Sequence, residues 1–485
     1  MIGSLVVLIF GSCFFGACAA GDFGLPYNVP GFESSFRNTI GTGIVAIVKA
    51  NATLAKYDVA LDRSGTTGVL YGVANNLTSP LNKLLGHVAA SFGVNGTDSR
   101  KALFEELQAT VAPTTAALKL AAGRVRSLEG AVRSNLITTL TANLSTIETE
   151  VGTLGRNWIP FAEALQTTDS PESTYSAKNI SSLITPNMVQ SLTTPVQLIN
   201  AALRDISDVF GTVAKDRTAA IGHETATNAS VQNAYLDLTG SVAIVARTLS
   251  EAARQMEQQS NGTVRQVRDS YATLLGRLED TSQVTRVNGF LEMLETQGQS
   301  HNRRMNELLG ELAANYTRAV EVAKDAIGDR LSAATAAMVD EATISESSYA
   351  DRCLQRYVAD FRQMSYAPTR LSSCYQVDAR TVTYFSTANT AFLEQLRYGA
   401  VYANQALSVC QSQSSANCTA VYLDPLESVA ERNQLRLGLF IGFLREEMAT
   451  LTERYGVCMR AIQADIGQLV EATNQKFRNC FQTGK

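Results

Sequence analysis

Charge is scarce in this chain. Of 485 residues only 18% are Asp, Glu, Lys or Arg, against about a quarter in an average soluble domain, and Ser, Thr, Asn and Gln take up the shortfall. The formal net charge of −4 leaves no surplus of cations. That excludes a nucleic-acid binder, which must neutralise phosphates, and a polybasic membrane-surface patch. Histidine is scarcer still: His87, His223 and His301 are the only three. They are too few and too scattered for Ser/His or Cys/His catalysis, and each reads as an ordinary surface or helix residue. A P-loop, a dinucleotide-binding glycine fingerprint, a G-x-S-x-G elbow and an H-E-x-x-H zinc motif are all absent. Adjacent acids such as Glu105-Glu106, Asp340-Glu341 and Glu446-Glu447 point in different directions round a helix, whereas carboxylates that share a substrate sit three or four apart. They read as solvated faces. No catalytic residue, cofactor or metal is expected, and the chain reads as a non-enzyme.

Long apolar runs are absent beyond the N-terminus. The longest later run, Leu437 to Leu444, lies between Arg436 and Arg445 and is far short of the roughly 20 apolar residues that span a bilayer. No transmembrane segment is expected. Within it Gly438 and Gly442 form a GxxxG step, a spacing that permits close helix approach, read here as packing within the chain in preference to a homodimer face. The N-terminus differs: residues 1 to 20 carry no charge, and an apolar stretch from Leu5 to Phe15 runs into Gly16-Ala17-Cys18-Ala19-Ala20. This is the pattern of a secretory signal cleaved after Ala19 or Ala20, although it lacks a basic n-region. Asn51, Asn76, Asn95, Asn143, Asn179, Asn228, Asn261, Asn315 and Asn417 each open an N-x-S/T triplet. Nine such triplets are modestly more than composition alone generates, and they predict an N-glycosylated extracellular surface.

Hydrophobic residues make up 45% of the chain, enough for a sizeable core and, at roughly 150 residues per domain, for about three units. Between residues 21 and 97 short apolar runs around Ile44 and Leu84 predict short helices broken by Gly and by Pro80. From residue 98 to 220 the pattern is helical. Leu103, Leu107, Val111 and Leu118 begin a stripe that continues through Leu154 in steps of three, four or their sum, predicting one long amphipathic helix kinked at Pro113. A stretch containing Trp158, Pro160 and Pro171 interrupts it, and a further helix is expected over 186–220. From 221 to 345 the stripe resumes with Val231, Tyr235, Leu238 and Val242 and persists, across a polar break after Leu294, to Met338. No proline occurs between Pro195 and Pro368. Helices this long, rising about 1.5 Å per residue, predict an all-α protein: an elongated bundle of antiparallel, coiled-coil-like helices. Such stripes are read as packing seams in preference to lipid grooves.

Excluding Cys13 and Cys18 of the signal, the cysteines are Cys353, Cys374, Cys410, Cys418, Cys458 and Cys480, all in the last third. An even number in a secreted context predicts disulfides, and neither a CxxC step nor a nearby histidine offers a metal site. If the chain runs helically to Cys410, turns near residue 416 and returns as a helix from Asp424-Pro425, opposed positions share one midpoint. The pairs Cys410–Cys418, Cys374–Cys458 and Cys353–Cys480 all centre near that turn, which predicts a nested ladder clamping a helical hairpin over residues 346–485. A fold-back at Pro368 would instead give Cys353 another partner.

The same region resembles the TsetseEP-type domain proteins, a secreted insect family. The likeness lies in Cys353-Leu-Gln-Arg-Tyr357 with Phe361, in Cys374-Tyr375, in the close pair Cys410 and Cys418, in Tyr455-Gly-Val-Cys458 with Ala461, and in Phe477-Arg-Asn-Cys480. It covers residues 345 to 485 and consists of spacings more than signatures. The resemblance implies a non-enzymatic protein of insect secretions, associated with gut or reproductive fluids and in some cases with responses to microbes. Two functions are consistent with these features: a secreted interaction or structural protein with a protein, extracellular-surface or self partner, or a carrier holding lipids or small hydrophobes in a bundle cavity. The carrier would need a seam too wide to close, as Leu236 beside Tyr235 and Leu275 beside Leu274 hint.

Overall fold

The computed structural model describes residues 31–55, 64–93, 97–167, 182–412 and 416–484, with Phe23, Val29 and Asp62. The signal segment and the sequons at Asn95 and Asn179 lie outside the described residues. Among those described, helix is the only extended regular structure. In chain order the helices are α1 (Asn38–Leu54), α2 (Thr66–Ala90), α3 (Thr97–Arg126), α4 (Ser134–Thr167), α5 (Pro186–Leu275), α6 (Thr281–Ile344), α7 (Ala350–Met364), α8 (Ser373–Ser412) and α9 (Ala416–Thr483). They form two compact units. The first comprises residues up to His223 with Val339–Asp351, and the second comprises Glu224–Met338 with Arg352–Lys485.

In the first unit α2 packs on α1 and α3, and α3 on α4. Asp62 starts α2 by accepting the Thr67 backbone N–H at 2.6 Å and the Ser64 N–H at 3.1 Å, satisfying donors that a helix N-terminus leaves unpaired. Burial opposes its ionisation, but the hydrogen bonds from Ser64 and Thr67 outweigh this and hold its carboxyl below the usual value. Aromatic side chains fill the core. Phe23 meets Phe32, Phe92 and Phe161, and Trp158 meets Phe104 edge-on at 5.5 Å.

The single helix expected over 98–154 is two. Gly130, at φ +80°, turns the chain between α3 and α4, a conformation that glycine adopts at little cost. Leu128 and Val132 stay buried inside the turn, so the apolar stripe crosses the break without losing phase. Buried Arg217 fixes the turn by donating to the Ala131 carbonyl and pairing with Asp340 at 3.2 Å. Asp340 therefore does more than face solvent. Pro80 and Pro160 interrupt nothing: both lie inside helices, α2 and α4. A proline removes one backbone donor and strains one turn, and burial of Leu77, Leu81 and Leu84 around Pro80, and of Trp158 and Phe161 around Pro160, offsets that loss.

In the second unit α5 and α6 form an antiparallel hairpin. Asn302 donates to Asn261, Ser332 to Asn228, and the Tyr235 hydroxyl to the Lys324 carbonyl at 2.9 Å. Gly328 makes room for that ring, since a Cβ there would sit 1.7 Å from the Tyr235 oxygen. Desolvation and the nearby Asp325, Asp329 and Glu321 carboxylates push the Tyr235 hydroxyl up to about 12. The turn falls after Leu275, where Asp280 caps α6 through the Ser282 N–H, and the polar stretch after Leu294 stays helical. From Thr281 to Met338 alone α6 extends on the order of 90 Å. α8 and α9 form a second antiparallel hairpin. The Tyr271 hydroxyl ties α5 to α8 through the Ala400 carbonyl at 2.8 Å.

Candidate functional site

The C-terminal hairpin is clamped at three levels. Cys353–Cys480, Cys374–Cys458 and Cys410–Cys418 are joined, with Cα separations of 5.9, 5.8 and 5.3 Å, within the ordinary range for disulfides. This is the nested ladder expected from the spacing. Pro368 sits in a short 3-10 segment, Ala367–Ser372, that leaves α7 beside the end of α9, so Cys353 reaches Cys480. α9 begins at Ala416, and Asp424-Pro425 lies inside it instead of starting it. Buried side chains reinforce the clamp: Tyr357 packs edge-on to Phe477, and Tyr316, Tyr375 and Tyr455 cluster beside the middle disulfide.

This rigid hairpin carries an aromatic outer face. On α8 the buried positions Cys374, Phe385, Asn389, Leu393 and Leu407 define the inward side. Opposite them Val377, Tyr384, Ala391 and Tyr398 recur every seven residues, followed four residues on by Tyr402 and seven after that by Val409. Seven residues are nearly two helical turns, so these side chains form one stripe. Tyr384, Tyr398 and Tyr402 are 58, 64 and 74% exposed. The Arg397 guanidinium lies 5.0 Å from the Tyr398 ring centre and is held by Glu394 at 2.8 Å. A row of exposed tyrosines offers flat apolar area with a polar tip, the chemistry enriched at binding surfaces. The seven-residue spacing was visible in the sequence, but the Leu and Val seams drew the same pattern more strongly.

Beneath this face lies a buried polar layer. His301 of α6 meets Asn389 of α8 at 3.0 Å, and Asn389 donates in turn to Gln259 of α5 at 3.2 Å. Phe392 and Phe440 flank the imidazole. Burial holds His301 below its ordinary value, opposed by the bond to Asn389. His301 is therefore a helix residue, one of the two readings its sequence allowed, and a buried one; only the register of separate helices brings it to Asn389. Of the other histidines, His87 lies 3.7 Å from Glu106, and His223 is half-buried in α5. A neighbouring cavity of about 30 Å³ is lined by Ser260, Val267, Leu294 and Leu437, among others, room for about one or two waters. A groove of about 500 Å³ between α6 and α9, lined by Met293, Thr296 and Ile441, opens to solvent. Leu236 is exposed and Leu275 packs against the core, so neither widens the seam into a ligand chamber.

Asn51, Asn76, Asn143, Asn228, Asn261, Asn315 and Asn417 all lie on helices. Asn51, Asn228 and Asn261 accept hydrogen bonds through Oδ1, which keeps Nδ2, the glycan-bearing atom, out of these bonds. The GxxxG step does not pack within the chain as expected: nothing lies within 4 Å of where a Cβ would stand at Gly438 or Gly442. Both face away from the core because Leu437, Phe440, Ile441 and Leu444 occupy the inward side of α9. No helix among the described residues is long and apolar enough to cross a membrane, and none of their His, Cys, Asp and Glu side chains form a group of three or more able to hold a metal ion. No family model, curated protein or solved structure matches the chain.

Proposed function

We propose that this chain is a secreted, N-glycosylated, non-enzymatic helical interaction or structural protein of insect secretions, associated with gut fluid or with responses to microbes. The observation that carries the reading is the exposed tyrosine row of α8 on a hairpin held by three disulfides. A flat, amphipathic surface on a rigid support binds without a large loss of conformational freedom, and disulfides are compatible with an oxidising, extracellular compartment. The N-terminal apolar segment and the sequons support secretion, and the cysteine spacings support the insect setting. Neither space gives the carrier alternative much support: the cavity beside Ser260, at about 30 Å³, is far below the several hundred Å³ of small-molecule pockets, and the groove of about 500 Å³ between α6 and α9 reaches that size but opens to solvent, whereas such sites bury most of their ligand's surface.

The test is tyrosine iodination. In purified protein Tyr384, Tyr398 and Tyr402 should react, and in the unfractionated secretion they should be protected. Tyr366, exposed and off this face, should react in both. Equal labelling of the α8 tyrosines in both samples would mean that no partner covers them.

A further inference from the structure

A second exposed stripe, on α9, carries an inference independent of the α8 reading. Leu435 and Leu439 are 66 and 67% exposed, and Phe443 continues their face. Gly438 and Gly442 flank them with open space where side chains would stand. Large apolar side chains gathered on a solvent face mark a contact surface, and small neighbours let another helix come close. The pattern around Leu439 has a further property. Seven residues before it stands Arg432 and seven after it Glu446, both exposed. Eighteen residues before it stands exposed Val421 and eighteen after it exposed Val457. Eighteen residues are five full helical turns, so both valines share the face of Leu439.

We infer that α9 pairs antiparallel with α9 of a second copy of this chain, about a two-fold axis through Leu439. In that arrangement each position meets its mirror image. Arg432 faces the partner subunit's Glu446, Leu435 faces the partner subunit's Phe443, and Val421 faces the partner subunit's Val457. The two Leu439 side chains touch on the axis. A parallel pair would set Arg432 against its own copy and Glu446 against its own, so charge selects the antiparallel register. The interface is isologous and closes as a dimer. Arg432 Nε donates to the Ser428 carbonyl at 3.1 Å, which orients its guanidinium along the helix surface.

Sedimentation equilibrium of the full secreted chain over a range of concentrations tests this. The wild type should reach twice the protomer mass, and Leu439→Lys, which places two ammonium groups on the axis, should stay at the protomer mass. Arg432→Glu and Glu446→Arg should each weaken association at least tenfold, and the two together should restore it. Leu439→Cys should form an intermolecular disulfide on mild oxidation. Circular dichroism checks that each variant folds, and if Leu439→Lys does not, the charge-swap pair decides alone. A wild type at protomer mass throughout, or a dimer indifferent to Leu439→Lys and to the charge swap, overturns the inference.

Discussion

Removing the outermost disulfide should cost more than removing the innermost, by an amount the nesting determines. Cys353 and Cys480 are 127 residues apart, but with Cys374–Cys458 intact the outer bond closes only two arms of 21 and 22 residues. A loop of about 43 residues corresponds to about 4 kcal/mol of unfolded-state entropy, against about 5 for the un-nested loop. The inner bond spans eight residues and corresponds to about 2.5 kcal/mol. The paired variant Cys353→Ala with Cys480→Ala should therefore unfold at lower urea than Cys410→Ala with Cys418→Ala, the two costs differing by about 1.5 kcal/mol. Tyrosine circular dichroism follows the second unit, which holds the Tyr316, Tyr375 and Tyr455 cluster. The only tryptophan, Trp158, lies in the first, so its fluorescence is read separately. If the outer pair costs no more than the inner, packing of Tyr357, Phe361 and Phe477 holds that end and the entropic reasoning fails.

Three further outcomes are expected. Burial keeps His301 neutral, its native pKa lying below the ordinary 6.5. Its contribution is complete above the unfolded value and is lost as pH falls from there toward the native value, at up to about 1.4 kcal/mol per pH unit; His301→Gln should flatten urea midpoints over that window, and an unchanged slope would refute this. Gly328→Ala should destabilise by about 1–3 kcal/mol because the new methyl displaces the Tyr235 hydroxyl, and adding Tyr235→Phe should recover part of the loss in a thermal melt; no recovery would place the strain elsewhere. Protein secreted from insect cells should begin at Ala20 or Gly21 and lose mass on N-glycosidase treatment, whereas full-length, membrane-retained chain would contradict the signal.

The sequence carried the fold class and the disulfide pairing because both rest on simple periodicities. Helical stripes repeat near 3.6 residues, and the six cysteines share a midpoint. It did not carry the turn at Gly130, because Leu128 and Val132 hold the stripe in phase through the break. The prolines misled in the same region, since a proline reports a lost hydrogen bond and not how much burial surrounds it. His301 and Asn389 are 88 residues apart and meet only through the register of separate helices, which periodicity does not specify. The GxxxG step was legible as a close-approach motif, but its direction was not: only the packed side of α9 shows that the glycines face outward.

The most direct measurement is native mass spectrometry of the secreted, deglycosylated protein, compared with the same sample after denaturation. The expected result is the polypeptide mass, or twice it, with nothing lost on unfolding beyond the dimer contact itself. A bound species of several hundred daltons that departs on unfolding would contradict an interaction protein and identify a carrier.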